Sequence, residues 1–217
     1  MTLYLLDLFG VFVFALSGAM AADRRRMDLF GFVVIALLPA LGGGTLRDVI
    51  IDAPVFWLTD PTYLLMSLAA AVLTFVAANA IQRAGQWLVW ADAGGLSLFC
   101  VLGAAKTLAL GLGPVNAMVM GVMSAVVGGI IRDVVCNEVP LILRRDVYAT
   151  AAFAGAAAYV ALLHAGLADA AAVWIGAAAF IPTIPIDLSG LLSSNFSGYT
   201  GSMLSSNSKR RSSITTE

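Results

Sequence analysis

Long apolar runs alternate with short polar breaks along this chain, and their spacing predicts seven membrane-spanning helices. A helix needs about 20 predominantly apolar residues to cross the hydrocarbon core of a bilayer. Seven segments meet this requirement, and we number them 1 to 7. They cover approximately residues 3–22, 27–51, 61–81, 87–110, 114–136, 146–165 and 168–187. The pattern therefore predicts an all-α membrane protein with one transmembrane domain over residues 1–188.

Segments 2 and 5 carry the same unusual motif, in which adjacent glycines precede an Arg-Asp pair. The motif residues are Gly42, Gly43, Gly44, Arg47 and Asp48 in segment 2, and Gly128, Gly129, Arg132 and Asp133 in segment 5. The two copies lie 85 residues apart (132 minus 47). The same offset, without gaps, relates Asp7 to Asp92, Gly10 to Gly95, Phe14 to Phe99 and Tyr63 to Tyr148. Self-similarity at a fixed offset is typical of an internal repeat.

The repeat divides the membrane domain into two three-helix units and a seventh helix. The units cover residues of about 3–82 and 87–166, and the seventh helix follows at about 168–187. Because each unit crosses the membrane an odd number of times, the second copy enters from the opposite side. An inverted repeat of this kind is common in transport proteins, whose sites lie near the midplane on interrupted helices.

The basic residues predict the orientation of the chain in the membrane. Nine of the twelve Lys and Arg residues flank the segments on one side, and the loops of the other side carry none: Arg24, Arg25, Arg26, Arg83, Arg144, Arg145, Lys209, Arg210 and Arg211. Positive residues mark the cytoplasmic side. The N-terminus is therefore predicted outside and the C-terminus in the cytoplasm. In the outer loop, residues 52–60, Phe56 and Trp57 suit a place among lipid headgroups.

The composition narrows the classes of function. The chain is 60% hydrophobic and 12% charged, with a net charge of −1, two cysteines and one histidine. It offers no arrangement of metal ligands, no catalytic triad and no nucleotide motif. We expect neither an enzyme nor a nucleic-acid-binding protein, and no cofactor. Residues 189–217 contain ten serines, and this composition predicts a disordered cytoplasmic tail.

The glycine clusters suggest interrupted helices. Glycine costs about 1 kcal/mol relative to alanine inside a helix, and Pro39 lies shortly before the first cluster. A kink or unwinding there would free carbonyl groups, which cannot face lipid and must face protein or water. Such carbonyls suit a cation. The alternative is that these glycines only allow helices to pack closely.

Three basic residues lie inside apolar segments, where an unpaired charge facing lipid is costly. Arg47 and Arg132 are each followed by an aspartate, but neighbours on a helix point about 100° apart and should pair poorly. We therefore expect ion pairs between the repeats, with Asp133 and Asp48 as first candidate partners and Asp7 and Asp92 as second. The alternative is that ion pairs only stabilise the bundle.

Lys106 is the third of these basic residues and breaks the repeat, because its counterpart is Ala21. It lies about one turn from the outer end of segment 4. It is either a side chain that reaches the interface or a mobile positive charge near the outer mouth.

The repeated unit, the seventh helix and the paired glycine–Arg-Asp motifs resemble the trimeric intracellular cation (TRIC) channel family, in its bacterial branch. The resemblance covers residues of about 3–186 and implies a bacterial inner-membrane homotrimer. It implies a pore in each subunit for potassium and sodium, lined by segments 2 and 5 and kinked at their glycines. Lys106 resembles the lysine that this family links to voltage-dependent block. Val127 replaces the first glycine of a strict second triplet, so the second kink should be milder.

Channel and carrier remain alternatives at this stage. The same bacterial domain is also described as a small amino acid transporter, with glycine as the substrate. A channel would have one continuous water-filled pore that contacts ions weakly at several sites, with no bound metal beyond the permeating cations. A carrier would bind a substrate carboxylate, and Arg47 or Arg132 could do so. Beyond copies of itself, the partners we expect are membrane lipids.

Overall fold

The computed structural model describes residues 2–83, 85–140, 143 and 146–180 of the 217 residues, with the backbone alone at 2–3, 78–83, 85–94, 146–151, 169–170 and 179–180. The predicted tail, residues 189–217, lies outside this part of the chain, as do Arg144, Arg145 and residues 209–211. Among the described residues, all regular structure is helical and none is a strand. The prediction of an all-helical protein is therefore confirmed.

Helices follow the predicted apolar segments closely. In chain order they are α1 (Thr2–Arg24), α2 (Leu29–Ile50), α3 (Phe56–Thr59), α4 (Thr62–Arg83), α5 (Gly85–Ala109), α6 (Pro114–Val135), α7 (Asp146–His164) and α8 (Asp169–Phe180). The short α3 lies in the predicted outer loop and was not expected. Local chemistry explains some helix starts: Asp28 caps α2 by accepting a hydrogen bond from the Gly31 amide at 2.8 Å, and Pro114 opens α6, where its missing N–H costs nothing.

Three of these helices are long and apolar enough, by length and composition, to cross a membrane: Tyr4–Arg24, Leu29–Ile50 and Pro114–Val135. Shorter apolar helical stretches are Thr62–Ala77, Gly95–Ala109 and Ala152–His164. Many large apolar side chains on the helices are exposed, for example Phe30, Val76 and Val115. Exposed apolar side chains spread over several helices are what a surface facing lipid requires.

The 85-residue offset extends to the backbone. Arg26 and Gly111 have φ values of 53° and 77°, and Asp52 and Asn137 both have φ values of 53°. Each pair is separated by 85 residues (111 minus 26, and 137 minus 52). The hydrogen bonds that end α2 and α6 also match, with the Ala53 and Glu138 amides both donating to aspartate carbonyls at 2.8 Å. Helices of the two halves therefore end in the same turns.

One aromatic contact joins two residues that are counterparts in the repeat. Phe14 and Phe99 stack with ring centroids 5.1 Å apart where α1 meets α5. The Cα face of Gly10 lies against Phe99, and that of Gly95 against Phe14, so the contact is reciprocal. The two halves therefore contact each other through residues that the offset of 85 relates.

Candidate functional site

The first Arg-Asp pair of the motif forms a buried ion pair at the C-terminal end of α2. Arg47 Nε and Nη2 lie 2.8 and 2.7 Å from Asp48 Oδ1. Arg47 is 6% exposed and Asp48 is fully buried. Our expectation that these neighbours pair poorly is wrong. The long arginine side chain bends back around the helix, so the direction of its Cβ does not decide which carboxylate it meets.

Lys106 of α5 binds the same carboxylate. Its Nζ is 2.8 Å from Asp48 Oδ1, and the Phe56 amide of α3 donates to Asp48 Oδ2 at 3.0 Å. Both oxygens of Asp48 are therefore occupied, and one buried carboxylate joins α2, α3 and α5. The ammonium that we expected to reach the interface or to be mobile is held by Asp48, a partner that the sequence did not predict.

The second Arg-Asp pair repeats the geometry at the end of α6. Arg132 Nε and Nη2 each lie 2.7 Å from Asp133 Oδ1. The predicted ion pairs between repeats, Arg47 with Asp133 and Arg132 with Asp48, are therefore wrong. Instead, each arginine donates to a serine of the other repeat.

These serine contacts are the polar links that the arginines make between the halves. Arg132 Nη1 is 2.7 Å from Ser17 Oγ, and Arg47 Nη1 is 3.4 Å from Ser124 Oγ. The arginines thus pair with their own neighbours, which was not expected, and connect the repeats through serines instead of aspartates. Asp92, a second candidate partner, has no described side chain.

The glycines of the motif serve helix packing rather than unwinding. Helix α2 continues from Leu29 to Ile50 and α6 from Pro114 to Val135, so unwinding is wrong and a kink at the glycines stays a prediction. A Cβ on Gly43 would collide with the Ser124 carbonyl oxygen, and one on Gly128 would lie 2.6 Å from the Pro39 carbonyl oxygen. Because Gly43 and Gly128 are counterparts, and so are Pro39 and Ser124, this contact is also reciprocal.

The other motif glycines differ from this pair. A Cβ on Gly42 would have its nearest neighbours at 3.7 Å, and one on Gly129 at 4.0 Å, so both positions have room. A Cβ on Gly44 would lie 2.6 Å from the Phe56 ring. Gly44 therefore makes space for the outer loop, and among the motif glycines only Gly43 and Gly128 lie too close to the facing backbone to accept a methyl group.

The loop that carries α3 folds over the end of α2. Trp57 Nε1 donates to Thr45 Oγ1 at 2.9 Å, and the Phe56 ring meets Tyr63 edge-to-face with centroids 4.8 Å apart. Both aromatic side chains pack against the core. Both side chains are only partly buried, and a place for Phe56 and Trp57 among lipid headgroups stays a prediction. The signal that could have placed them is Gly44, which leaves space for a ring.

Next to the cluster lies a cavity of about 310 Å³. Its charged and polar lining consists of Tyr4, Asp7, Arg47, Tyr63, Lys106 and Ser124. The stacked Phe14 and Phe99 also line it. A space of this size holds several water molecules or a small solute. Its walls come from α1 to α6, and they bring Gly44 and Arg47 of the first motif together with Phe56 of the outer loop and with polar and apolar side chains of the other helices.

Asp7, which the sequence suggested as a second candidate partner for the motif arginines, is the carboxylate that lines this cavity. Its Oδ2 accepts a hydrogen bond from Tyr63 Oη at 2.7 Å, rather than pairing with an arginine of the motif. The offset of 85 residues relates both members to counterparts, Asp92 and Tyr148. That coincidence was a sign in the sequence that Asp7 and Tyr63 act together.

Comparison with known proteins identifies the relatives of this chain. The family model described as Glycine transporter matches it twice, at residues 4–79 and 89–164. The two matches begin 85 residues apart (89 minus 4), which agrees with the internal repeat. The UPF0126 inner membrane protein YadS of Escherichia coli K12 is 43% identical over 157 residues, which cover 71% of this chain and 76% of that protein.

Two solved structures extend the comparison to the fold. The TRIC trimeric intracellular cation channel orthologue from Rhodobacter sphaeroides is 45% identical, with a TM-score of 0.80 over 89% of this chain and 98% of that chain. A TRIC cation channel structure that addresses conductance is 31% identical, with a TM-score of 0.79 over 84% and 91%. The protein is a bacterial multi-pass membrane protein. With the resemblance of its motifs confirmed, the chain belongs to the TRIC channel family, together with the bacterial UPF0126 membrane proteins.

Proposed function

We propose that this protein is a channel for monovalent cations, potassium and sodium, with a pore in each subunit. The observation that carries the proposal is the polar cavity beside the Arg47–Asp48–Lys106 cluster. Its support from relatives is that the solved structures similar to this chain are cation channels. These relatives also weigh against an enzyme. No cofactor enters the proposal, and the only ions are those that permeate.

Arginines in a cation pathway need neutralising, and the site supplies the carboxylates. Arg47 and Lys106 both contact Asp48, and Asp7 lines the same cavity. Two positive and two negative side chains therefore balance each other. A neutral polar chamber lets a cation enter without an excess of positive charge to repel it. The same balance holds at Arg132 and Asp133.

The pore in this proposal is lined by α2 and α6. These helices are in direct contact at Gly43 and Gly128, and both contribute to the cavity, α2 through Pro39 and Arg47 and α6 through Ser124. The glycines act here as a close crossing. A small rotation about a glycine contact changes the space between two helices without moving bulky side chains, which suits a pathway that opens and closes.

We also propose seven membrane spans arranged as an inverted repeat. The ion pairs support it. Lys106 near the end of α5 meets Asp48 near the end of α2, and the Arg25 side chain after α1 meets Glu138 after α6 at 3.1 Å. Since α1 and α2 form a hairpin, α5 ends on the side where α1 begins. Helices α1 and α5, counterparts in the repeat, would then run in opposite directions.

The proposed orientation places the N-terminus outside and the C-terminus in the cytoplasm of a bacterial inner membrane. Exposed Arg24, Arg25 and Arg26 support a cytoplasmic position for the loop after α1. A homotrimer is proposed because a solved relative is a trimeric channel. Exposed apolar side chains on several helices would contact lipid or neighbouring subunits.

The second candidate is a secondary carrier for a small amino acid such as glycine. The family model carries that description, and one feature of the cavity favours it. Asp7, Arg47 and Lys106 all line it, so it offers an opposite charge to both the ammonium and the carboxylate of a zwitterion. Saturable uptake of labelled glycine into liposomes, with no single-channel current, would support this candidate.

Current through the purified protein in a planar bilayer tests the channel directly. With a KCl gradient, we expect discrete steps and a reversal potential close to that of potassium. The variant Lys106→Met keeps the length of the side chain and removes its charge. We expect it to conduct with a shallower dependence on voltage, since one charge crossing the full field contributes about 2.3 kcal/mol per 100 mV. Arg25→Met, exposed beyond the other end of the bundle, is the control and should match the wild type.

A silent bilayer would contradict the channel. Unchanged voltage dependence in Lys106→Met, with currents otherwise like those of the wild type, would remove Lys106 from gating while leaving the channel intact.

A further inference from the structure

The two aspartates near the cavity differ in what they can offer to an ion. Asp48 is fully buried, and its oxygens accept from Arg47, Lys106 and the Phe56 amide. It does not line the cavity, so an ion in the cavity does not reach it. Its role is to hold two positive side chains in place, so ion binding requires another carboxylate.

Asp7 is that other carboxylate. It lines the cavity and is partly exposed. The hydrogen-bond donor that the described residues give it is Tyr63, which contacts Oδ2 only. Within the described part of the chain, no buried side-chain oxygen or nitrogen lacks a partner. The second oxygen of Asp7 is therefore open to the cavity.

The Tyr63 ring fixes the position of Asp7. Tyr63 is 7% exposed, and its ring is held edge-to-face by Tyr4 at 5.9 Å and by Phe56 at 4.8 Å between centroids. A carboxylate fixed by a rigid phenol loses little freedom when it binds a cation, because it is already ordered. The remaining polar oxygens in the cavity wall, such as Ser124 Oγ, are of the type that hard cations prefer.

We infer that the Asp7 carboxylate, held by Tyr63, is the cation-binding group of this cavity and sets its preference for cations over anions. This inference rests on the proposed channel function and assigns a residue outside the glycine–Arg-Asp motif. The charge balance gives the reason: without Asp7, Asp48 alone faces Arg47 and Lys106, and the cavity becomes net positive. A net positive chamber concentrates anions and excludes cations.

Matched variants test the inference in planar bilayers with a KCl gradient. Asp7→Asn keeps the acceptor for Tyr63 and removes the charge, so we expect the potassium-to-chloride permeability ratio to fall about tenfold. Asp7→Glu should retain most of the ratio. The control is Asp52→Asn. Asp52 is exposed in the loop after α2, and asparagine tolerates its left-handed backbone conformation. This variant should have the permeability ratio of the wild type.

A binding measurement separates failure of this inference from failure of the channel. Thermal unfolding of the purified protein is followed in KCl and in N-methylglucamine chloride at equal ionic strength. Bound potassium stabilises the folded state, so the midpoint of the wild type should be higher in KCl, and Asp7→Asn should lose that difference. If the wild type passes no current but its midpoint is higher in KCl, and Asp7→Asn loses that difference, the channel is overturned and the binding site at Asp7 is retained.

The opposite result is equally clear. If the wild type conducts with cation selectivity and Asp7→Asn keeps both the permeability ratio and the potassium-dependent midpoint, the assignment of Asp7 is overturned and the channel stands.

Discussion

Replacing Asp48 by asparagine is expected to lower the free energy of unfolding by about 3–5 kcal/mol, the usual cost of removing one partner of a buried ion pair. Asp48 is fully buried and is the only carboxylate that contacts Arg47 and Lys106 among the described ion pairs. Asparagine would retain an acceptor for the Phe56 amide and leave two positive charges without a counter-charge. Denaturant titration of the purified protein in detergent micelles measures the loss.

The control and a second variant make this prediction specific. Asp52→Asn, one turn further along and exposed, should change stability by less than about 0.5 kcal/mol, as surface substitutions usually do. Adding Lys106→Met to Asp48→Asn removes one of the unpaired charges and should restore part of the stability, because contacting residues couple by about 0.5–3 kcal/mol. Equal stability of Asp48→Asn and Asp52→Asn would contradict the buried cluster.

Gly43→Ala is expected to destabilise the protein by about 1–3 kcal/mol through overpacking. The new methyl group would collide with the Ser124 carbonyl oxygen of α6. Because that atom belongs to the backbone, no side-chain rotation can relieve the collision, and the two helices must separate. The same measurement on Gly128→Ala should give a similar loss, since its methyl group would meet the Pro39 carbonyl at 2.6 Å.

Neighbouring glycines provide the matched controls. Gly42→Ala and Gly129→Ala place a methyl group where the nearest atoms are 3.7 and 4.0 Å away. Each substitution also removes the helix penalty of glycine, about 1 kcal/mol, so stability should stay equal or rise. If all four variants behaved alike, the glycines would act through backbone flexibility rather than through the crossing.

Much of the fold was readable because lipid imposes a simple rule on the sequence. Apolar length alone places the helices, and an exact offset of 85 residues aligns the two halves from Asp7 to Tyr148. The repeat also pointed to the two helices that cross at Gly43 and Gly128, although only Gly44 and Arg47 of the motif residues line the cavity. These features depend on periodicity and spacing, which a sequence displays directly.

The details of the site were not readable because they depend on long side chains and on a loop. Cβ directions on a helix suggested that Arg47 avoids Asp48, but a guanidinium on a flexible stem reaches its neighbour. The glycine run suggested a broken helix, but packing against α6 keeps α2 helical, as tertiary contacts commonly override propensity. Phe56 could be placed only once the space at Gly44 was known.

The reciprocal contacts at Phe14 with Phe99 and at Gly43 with Gly128 have a consequence for the origin of the molecule. They are contacts that two identical half-length chains would make. In the proposed inverted arrangement, an ancestral half would have inserted in both directions and dimerised with itself. Fusion of two copies fixes the ratio of orientations at one to one and frees each half to diverge. Lys106, whose counterpart in the first half is Ala21, shows such divergence, because a dimer of identical halves would have carried the lysine in both copies.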